Sequence, residues 1–371
     1  MMALLMIACQ SSNEEEQDPT LPEEDCFLDI CVNAPDRPIV TRADEGEIKA
    51  IGDESKVNTL KIWVFRHSDA EAVGYLKADT TFLNQMGQKT YQLKLDKAFA
   101  NNPEPVDVYV VANETLNEES TREDLNNAQI SSFGIINNAP TATSVPESGL
   151  PMSAVLKNQP IFGKFPTLRI GTETEVATLQ LTRAVSKLRF VMSREIDPEE
   201  TDVNPKPVKI KSIVLNSGMI PTEAYLFLAD DGKKFYIGED YNNADINFPP
   251  GESSFDIAKN ENPMKYAYQP GTNAQEYENL IASGIESEEL TQVGPFYLHE
   301  SDKKLTGVIT YQATGEEEKT ATFTMSDAGD FSRNHTWTVY AYYSGSRLEV
   351  VSVYVNKWTD YTLSERTIYN W

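Results

Sequence analysis

The sequence has 371 residues, 40% of them hydrophobic and 10% aromatic, so it is too apolar for a disordered chain and long enough for about two domains. Its 57 acidic and 32 basic residues give a formal net charge of −25. This excess of negative charge repels nucleic-acid phosphates, so we expect no nucleic acid among the partners.

The N-terminal segment is typical of an exported lipoprotein. Residues 1–8 form an uncharged apolar run, far shorter than the roughly 20 residues that span a bilayer. With Cys9 they resemble a bacterial lipobox, whose cysteine is diacylated and becomes the N-terminus; the alternative is a cysteine buried at the start of a domain. A basic n-region is missing, so we expect the true start to lie upstream of Met1. Residues 10–25 carry seven acidic and no basic residues, which indicates an unfolded tether.

From residue 26 the hydrophobic period is two, which predicts strands. The first strand has one wholly apolar face, formed by Cys26, Leu28, Ile30, Val32 and Ala34. Cys31 falls on the other face, about 16 Å from Cys26 along an extended chain, so these thiols cannot form a disulfide. Since the third cysteine is Cys9, the chain beyond residue 31 has no thiol for a disulfide, a nucleophile or a metal site.

The same period predicts further strands at 57–65, 91–95, 106–112, 177–181, 184–192, 208–215, 224–228, 234–237, 306–313, 320–325, 336–343 and 348–355. Asp230-Asp231-Gly232 predicts a hairpin turn, and helical periodicity is limited to 121–127 and 274–283. Many short strands separated by turn residues predict an all-β chain of stacked β-sandwiches with minor short helices. Two strand runs abut at Thr182-Arg183, so we predict an N-terminal sandwich at 26–183 and a C-terminal sandwich at 184–371.

The sequence carries no signature of a catalytic site. The nucleophile-elbow, zincin, Walker and dinucleotide-binding motifs do not occur. The histidines at positions 67, 299 and 335 are isolated near strand ends and are predicted to be structural. The turn at 327–330 either coordinates calcium through two aspartates or is simply solvated. We therefore predict no enzyme activity, no cofactor and no metal.

The last residues, 359–371, form a second amphipathic strand. One of its faces consists of Tyr361, Leu363, Glu365, Thr367, Tyr369 and Trp371. Either this strand packs on its own domain, or it adds to a sheet edge of another molecule.

The loop after the first strand offers a way to create such an edge. Arg42-Ala43 lies in a charged, Pro-containing loop and is a candidate for trypsin-like cleavage, whereas Arg37 is protected by Pro38. Cleavage would free the first strand and leave an apolar groove with unpaired backbone groups. A strand from a second subunit fills this groove, and head-to-tail repetition of the contact builds filaments.

Several segments, in this order, resemble the fimbrillins of the Bacteroidales type V pilus. They are the lipobox-like Cys9, Val57-Asn-Thr-Leu-Lys-Ile-Trp-Val-Phe65, Leu150-Pro-Met-Ser153, Leu181-Thr-Arg-Ala-Val-Ser-Lys-Leu188, Phe296-Tyr-Leu-His-Glu300, Arg333-Asn-His-Thr-Trp337 and Val355-Asn-Lys-Trp358. The resemblance implies two transthyretin-like β-sandwich domains, export as an outer-membrane lipoprotein, surface display, cleavage by an Arg-specific protease and polymerisation by strand exchange. By position, Arg42-Ala43 matches the cleavage site and 26–42 the removable strand with its loop. The family's C-terminal donor strand matches Tyr361, Leu363, Thr367, Tyr369 and Trp371.

The leading hypothesis is a structural pilus subunit that supports adhesion or biofilm formation, with other copies of itself or related pilus subunits as partners. The alternative is a surface lipoprotein or pilus-tip adhesin that binds a glycan or a host protein without polymerising. The thirteen residues after Trp358 favour a polymerising subunit. The N-terminal residue at the cell surface distinguishes the two, because Ala43 indicates polymerisation and acylated Cys9 an anchored monomer.

Overall fold

The computed structural model describes residues 25–35, 53–130, 133–172, 176–228, 233, 235–249, 254–325 and 331–357. The predicted lipidation site Cys9, the cleavage site Arg42-Ala43 and the tail at 359–371 lie outside these residues. The predicted turns at 230–232 and 327–330 also lie outside them.

Strands dominate the part of the chain up to residue 183. They are β1 (Phe27–Asn33), β2 (Leu60–Arg66), β3 (Ala72–Ala78), β4 (Gln88–Lys94), β5 (Val106–Ala112), β6 (Ile135–Ile136), β7 (Ala139–Pro140), β8 (Met152–Gln159), β9 (Ile161–Lys164), β10 (Thr167–Ile170), β11 (Thr178–Gln180) and β12 (Thr182–Arg183). The helices are α1 (Thr81–Met86), α2 (Lys97–Asn101), α3 (Arg122–Asn126) and a 3-10 turn at Asp53–Ser55.

These strands form two sheets that pack face to face. Sheet 1 has the order β11-β1-β10-β9, with β4 also paired to β1, and sheet 2 has the order β12-β8-β5-β2-β3. Side chains from both sheets share one hydrophobic core, in which Trp63, Phe65 and Tyr109 are almost completely buried. The short hairpin β6-β7 lies apart from both sheets.

The rest of the chain repeats this arrangement. Its strands are β13 (Ser186–Glu195), β14 (Val208–Leu215), β15 (Ile246–Phe248), β16 (Phe255–Asp256), β17 (Ala258–Asn260), β18 (Thr291–Leu298), β19 (Thr306–Ala313), β20 (Lys319–Thr324), β21 (His335–Ser344) and β22 (Arg347–Lys357). Its helices are α4 (Ala274–Glu286) and a 3-10 turn at Pro263–Tyr266.

Sheets 3 and 4 enclose a second hydrophobic core. Sheet 3 has the order β17-β13-β21-β22 with β18 paired to β13, and sheet 4 the order β15-β14-β19-β20 with β16 paired to β14. The far face of sheet 3 is covered by α4, whose Tyr277 and Ile281 pack against Tyr340 and Tyr354. Sheet membership changes between β12 and β13, where we predict the domain boundary.

The prediction of an all-β chain with few helices is confirmed. The bounds of β5, β14 and β19 coincide with the predicted strands at 106–112, 208–215 and 306–313. The helix predicted at 121–127 is α3, which begins with a capping box between Thr121 and Asp124. The helix predicted at 274–283 is α4, three residues longer than predicted.

The strands predicted at 224–228 and 234–237 are wrong. The described residues there form isolated bridges, Ala224 to Ile237 and Tyr225 to Gln129. The reason is that this segment crosses to the first half of the chain. Ile130 N donates to Ala224 O at 3.0 Å and Leu226 N to Ala128 O at 2.8 Å, both in the loop after α3, and Ser153 Oγ on β8 of sheet 2 donates to Leu226 O at 2.6 Å. Its apolar side chains therefore bury against a neighbouring layer instead of extending a ladder.

Several strands were not predicted, and β18 shows why. Its Gly294-Pro295 pair argues against a central strand, since proline has no N–H to donate. The structure accommodates the pair at a register shift in the β13–β18 ladder, between Leu188 and Phe190. The other missed strands are mostly short, such as β9 and β10.

A buried ion pair near β13 makes the fold sensitive to acid. Arg194 Nη1 and Nη2 donate to the two Glu200 carboxylate oxygens at 2.7 and 2.8 Å, and both side chains are at most 5% exposed. These hydrogen bonds from Arg194 hold the pKa of Glu200 at about 2, below its ordinary 4.5.

We expect Glu200→Gln to cost about 1–3 kcal/mol of unfolding free energy at neutral pH. A carboxylate with a lowered folded pKa stabilises above its unfolded pKa and loses that contribution as pH falls through the folded pKa. The difference from wild type is therefore expected to shrink as pH falls from 4.5 to about 2. Urea unfolding over this range tests it. Glu199→Gln is the control, because Glu199 is 84% exposed. A difference that stays constant across the range would contradict the assignment.

Candidate functional site

The candidate site is strand β1 and the groove that it occupies. All seven residues of β1 pair with β4 in an antiparallel ladder, from Phe27 opposite Lys94 to Asn33 opposite Gln88. On its other side, the first three residues pair in parallel with β10 and the last three with β11. β1 is therefore an interior strand of sheet 1, with hydrogen-bonded neighbours on both edges.

The inward face of β1 consists of the five residues predicted to form its apolar face. None of Cys26, Leu28, Ile30, Val32 and Ala34 exposes more than 2% of its surface. They belong to the core between sheets 1 and 2. Across the ladders, Leu28 lies between Leu93 and Leu168.

The outward face of β1 is mixed: it carries Phe27, Asp29 and Asn33 together with the second thiol, Cys31. Gln88 Nε2 donates to Cys31 Sγ at 3.0 Å, and Asn33 Nδ2 donates to Gln180 Oε1 at 3.3 Å. Cys26 and Cys31 are both free thiols, as their opposite faces predicted. Burial raises the pKa of the Cys26 thiol, so it stays protonated and unreactive.

Backbone hydrogen bonds hold both ends of the strand. Phe27 N donates to Pro166 O at 2.9 Å, and Ala34 N donates to Gly87 O at 2.8 Å. Gly87 caps α1 with a φ of 76°, so the C-terminal end of α1 lies at the Ala34 end of the groove. The segment with the predicted cleavage site follows directly from this end.

The first described residues after that segment are tied to the second half of the chain. Arg183 is completely buried and donates through Nε to Glu54 O at 2.9 Å, through Nη2 to Ser55 Oγ and through Nη1 to Asn334 Oδ1 at 3.1 Å. Burial acts to raise the pKa of Glu54, but the ammonium of Lys187, with the Tyr297 hydroxyl, outweighs it and lowers that pKa. We call these residues the Arg183 network.

A second buried pair lies beside this network. Arg333 Nε donates to Glu300 Oε1 at 2.9 Å, and both side chains are at most 7% exposed. Arg333 Nη1 also donates to Leu226 O, and Nη2 to Tyr225 O, so it holds the segment that crosses to sheet 2. The sequence motifs at 181–188, 296–300 and 333–337 thus meet at one joint between the two halves. Sequence reasoning picked out these motifs but not their common location.

The histidines are structural in this part of the fold. His67 Nδ1 lies 2.7 Å from Asp107 Oδ1, and His299 Nδ1 lies 3.2 Å from Pro221 O. Burial lowers the pKa of His299, which keeps its ring neutral. Among the residues that the structure describes, no three His, Cys, Asp or Glu side chains are grouped to hold a metal ion.

The described helices include none with the length and apolar character needed to cross a membrane.

Solved structures with a similar fold are known. A protein from Parabacteroides distasonis ATCC 8503, described as a "putative cell adhesion protein", has the same fold, with a TM-score of 0.50 and 14% identity over 91% of this chain and 99% of that one. The tip fimbrial protein Mfa3 from Porphyromonas gingivalis has a TM-score of 0.49 and 14% identity, covering 90% of this chain and 100% of its own. The fimbrilin FimA from P. gingivalis W83 has a TM-score of 0.48 and 11% identity, covering 90% and 98%. No curated protein matches the sequence.

A match to a protein family comes from the sequence itself. Residues 34–183 match the model of the major fimbrial subunit protein (FimA) family. The resemblance to fimbrillins is therefore confirmed over this range, which is similar to the fimbrial subunit family. The matched range begins at the last inward residue of the β1 segment and ends with β12.

Proposed function

We propose that this chain is a structural subunit of a cell-surface pilus, cleaved after Arg42 and polymerised by strand exchange. The observation that carries the proposal is the interior position of β1. A strand that leaves an interior position exposes two rows of backbone donors and acceptors, one on β4 and one on β10 and β11. Such a gap is a template for an incoming strand.

The energetics favour refilling the gap. The inward face of β1 contributes five buried side chains, and each large apolar one is worth about 1.5–3 kcal/mol. The backbone ladders add to this on both edges. An emptied groove is therefore unstable, and a strand that fills it is held tightly. Groove and tail are different parts of the chain, so a contact between the groove of one copy and the tail of the next is heterologous and continues as a filament instead of closing.

The proposal includes the steps around assembly. In it, the precursor is exported as a lipoprotein through Cys9 and is held at the outer membrane by its lipid, with 10–25 as a tether. An Arg-specific protease cuts after Arg42, and 26–42 then leaves. The donor strand of the next subunit, from 359–371, enters the groove. The two sandwiches at 26–183 and 184–371 act as a structural unit, without enzyme activity.

We expect limited trypsin digestion of the full chain to leave Ala43 as the new N-terminus and to produce oligomers. Arg42→Gln is expected to stay monomeric, because the bond that frees β1 is no longer cut. Deleting 359–371 is expected to allow cleavage but abolish oligomers. N-terminal sequencing and size-exclusion chromatography with light scattering measure these outcomes.

Arg37→Gln is the matched control, since Pro38 already blocks cleavage there, and it should assemble like wild type. Oligomers from the Arg42→Gln protein, or from the protein without 359–371, would overturn the proposal. An uncleaved monomer that binds a glycan or host protein would support a surface adhesin instead.

A further inference from the structure

Lys89 brings a positive charge to the wall of the β1 groove. It lies on β4 directly opposite Val32, so its side chain starts from the inward face of the sheet. Its side chain is 25% exposed, and Nζ lies 3.9 Å from Asp79 Oδ2 and 4.7 Å above the Tyr91 ring. The Asp79 carboxylate is itself engaged by Thr81 N and Oγ1. Nζ also donates to Asp79 O at 3.3 Å, so Lys89 is a half-buried cation with one backbone hydrogen bond and a long ion pair.

Only certain registers let the tail fill the groove. An incoming strand must place alternate side chains at the five sites that the inward face of β1 now holds. We take the direction of β1, because it keeps the seven-residue antiparallel ladder with β4. Every such set of five alternate residues within 359–371 contains either Glu365 or Arg366. One charged side chain must therefore enter the groove in any register.

The surroundings of each site select among these registers. The Leu28 site lies between leucines and the Ile30 site faces Tyr91, so a charge at either would be buried without a partner, at high cost. The Val32 site alone has Lys89 directly across the ladder. Placing Arg366 there brings two like charges together, whereas placing Glu365 there makes an opposite-charge pair.

The same register gives a role to two exposed apolar side chains on α1. With Glu365 at the Val32 site, Tyr361 and Leu363 take the Leu28 and Ile30 sites, and Thr367 takes the small Ala34 site. Tyr369 and Trp371 then continue past the Ala34 end, where α1 lies. On α1, Phe82 is 48% and Met86 38% exposed, and their i, i+4 spacing puts them on one helix face.

We propose that the tail of a second copy enters this groove in the register that pairs its Glu365 with Lys89 and lays its last aromatic residues on Phe82 and Met86. This inference rests on the proposed strand exchange and adds the register and the residue that sets it. Lys89 is then the specificity-determining residue of the acceptor, and Glu365 that of the donor.

A charge-reversal cycle tests the pair. The acceptor is the full chain without 359–371, cleaved at Arg42, as wild type or Lys89→Glu. The probe is a fluorescent peptide of residues 357–371, as wild type or Glu365→Lys, and anisotropy measures its dissociation constant. Either single reversal is expected to weaken binding about tenfold, and the double reversal to return to within about threefold of wild type. The matched control is Lys211→Glu on β14, which is 29% exposed and has an ion pair of the same length, 3.9 Å to Glu318, but lies in the second half of the chain; it should change nothing.

The outcomes separate this inference from the proposed function. Equal binding in all four combinations, or no recovery in the double reversal, overturns the Glu365–Lys89 register and leaves strand exchange intact. If a peptide of residues 25–35 binds the cleaved acceptor but the wild-type tail peptide does not, strand exchange by this tail is overturned together with the register.

Discussion

The Ile30→Ala precursor is expected to lose about 2–5 kcal/mol of unfolding free energy, while the polymer formed after cleavage is expected to keep wild-type stability. Ile30 is completely buried at the middle of β1, opposite Tyr91. Shortening it leaves a cavity in the core between sheets 1 and 2. Under the proposed function β1 leaves the groove, and the donor strand fills the core with its own side chains. The polymer therefore has no such cavity. Urea unfolding of the intact precursor and of the assembled polymer measures the two values.

The adjacent residue supplies the control. Asp29 is on the outward face, where its carboxylate accepts a hydrogen bond from Gln92 at 3.2 Å. Asp29→Ala should therefore change the stability of the precursor by no more than about 0.5 kcal/mol. If Ile30→Ala destabilises the polymer as much as the precursor, β1 has stayed in place and strand exchange is wrong.

We expect Arg333→Met to cost about 3–5 kcal/mol, because it leaves the carboxylate of Glu300 buried without its countercharge. Glu300 is 1% exposed, and the same substitution removes the donors to Leu226 O and Tyr225 O. The segment that crosses to sheet 2 should then loosen. Denaturant unfolding gives the loss, and hydrogen exchange at residues 224–227 reports the local effect.

Two further variants serve as controls for the Arg333 prediction: a double substitution of the buried pair and a substitution in an exposed ion pair. Glu300→Leu combined with Arg333→Met removes both charges and should recover much of the loss. Arg347→Met breaks an ion pair with Glu349 whose arginine is 75% exposed, so it should cost at most about 1 kcal/mol. A loss at Arg333 no larger than at Arg347 would show that the buried pair does not hold the joint.

The strands with the clearest alternation were predictable from sequence. The inward and outward faces of β1 follow from its period of two, because burial on one face selects apolar residues at every second position. The strands that form the walls of its groove could not be predicted from the sequence in the same way. β10 has four residues and β11 three, and both pair in parallel with β1 from more than 130 positions away. The Thr-Leu-Arg-Ile alternation of β10 was the available signal, but it is too short to indicate a partner.

The importance of individual candidate residues was likewise not predictable from local sequence patterns. Lys89 is one lysine among many in the sequence, and its importance appears only when the ladder sets it opposite Val32. Arg183 and Asn334 are 151 positions apart, so no local pattern relates them. Sequence motifs marked both segments, yet their meeting point depends on how sheet 2 and sheet 3 pack.

The Arg183 network has a mechanical consequence. In a filament built by strand exchange, tension enters each subunit through the groove of sheet 1 and leaves through β22 and the tail that follows it. The pull must therefore pass from one half of the subunit to the other. Arg183 bonds both to the residues that follow the cleavage loop and to Asn334, just before β21. We expect these short polar links to let the joint resist stretching without a disulfide, with the Arg333–Glu300 pair supporting them by holding the segment that crosses to sheet 2.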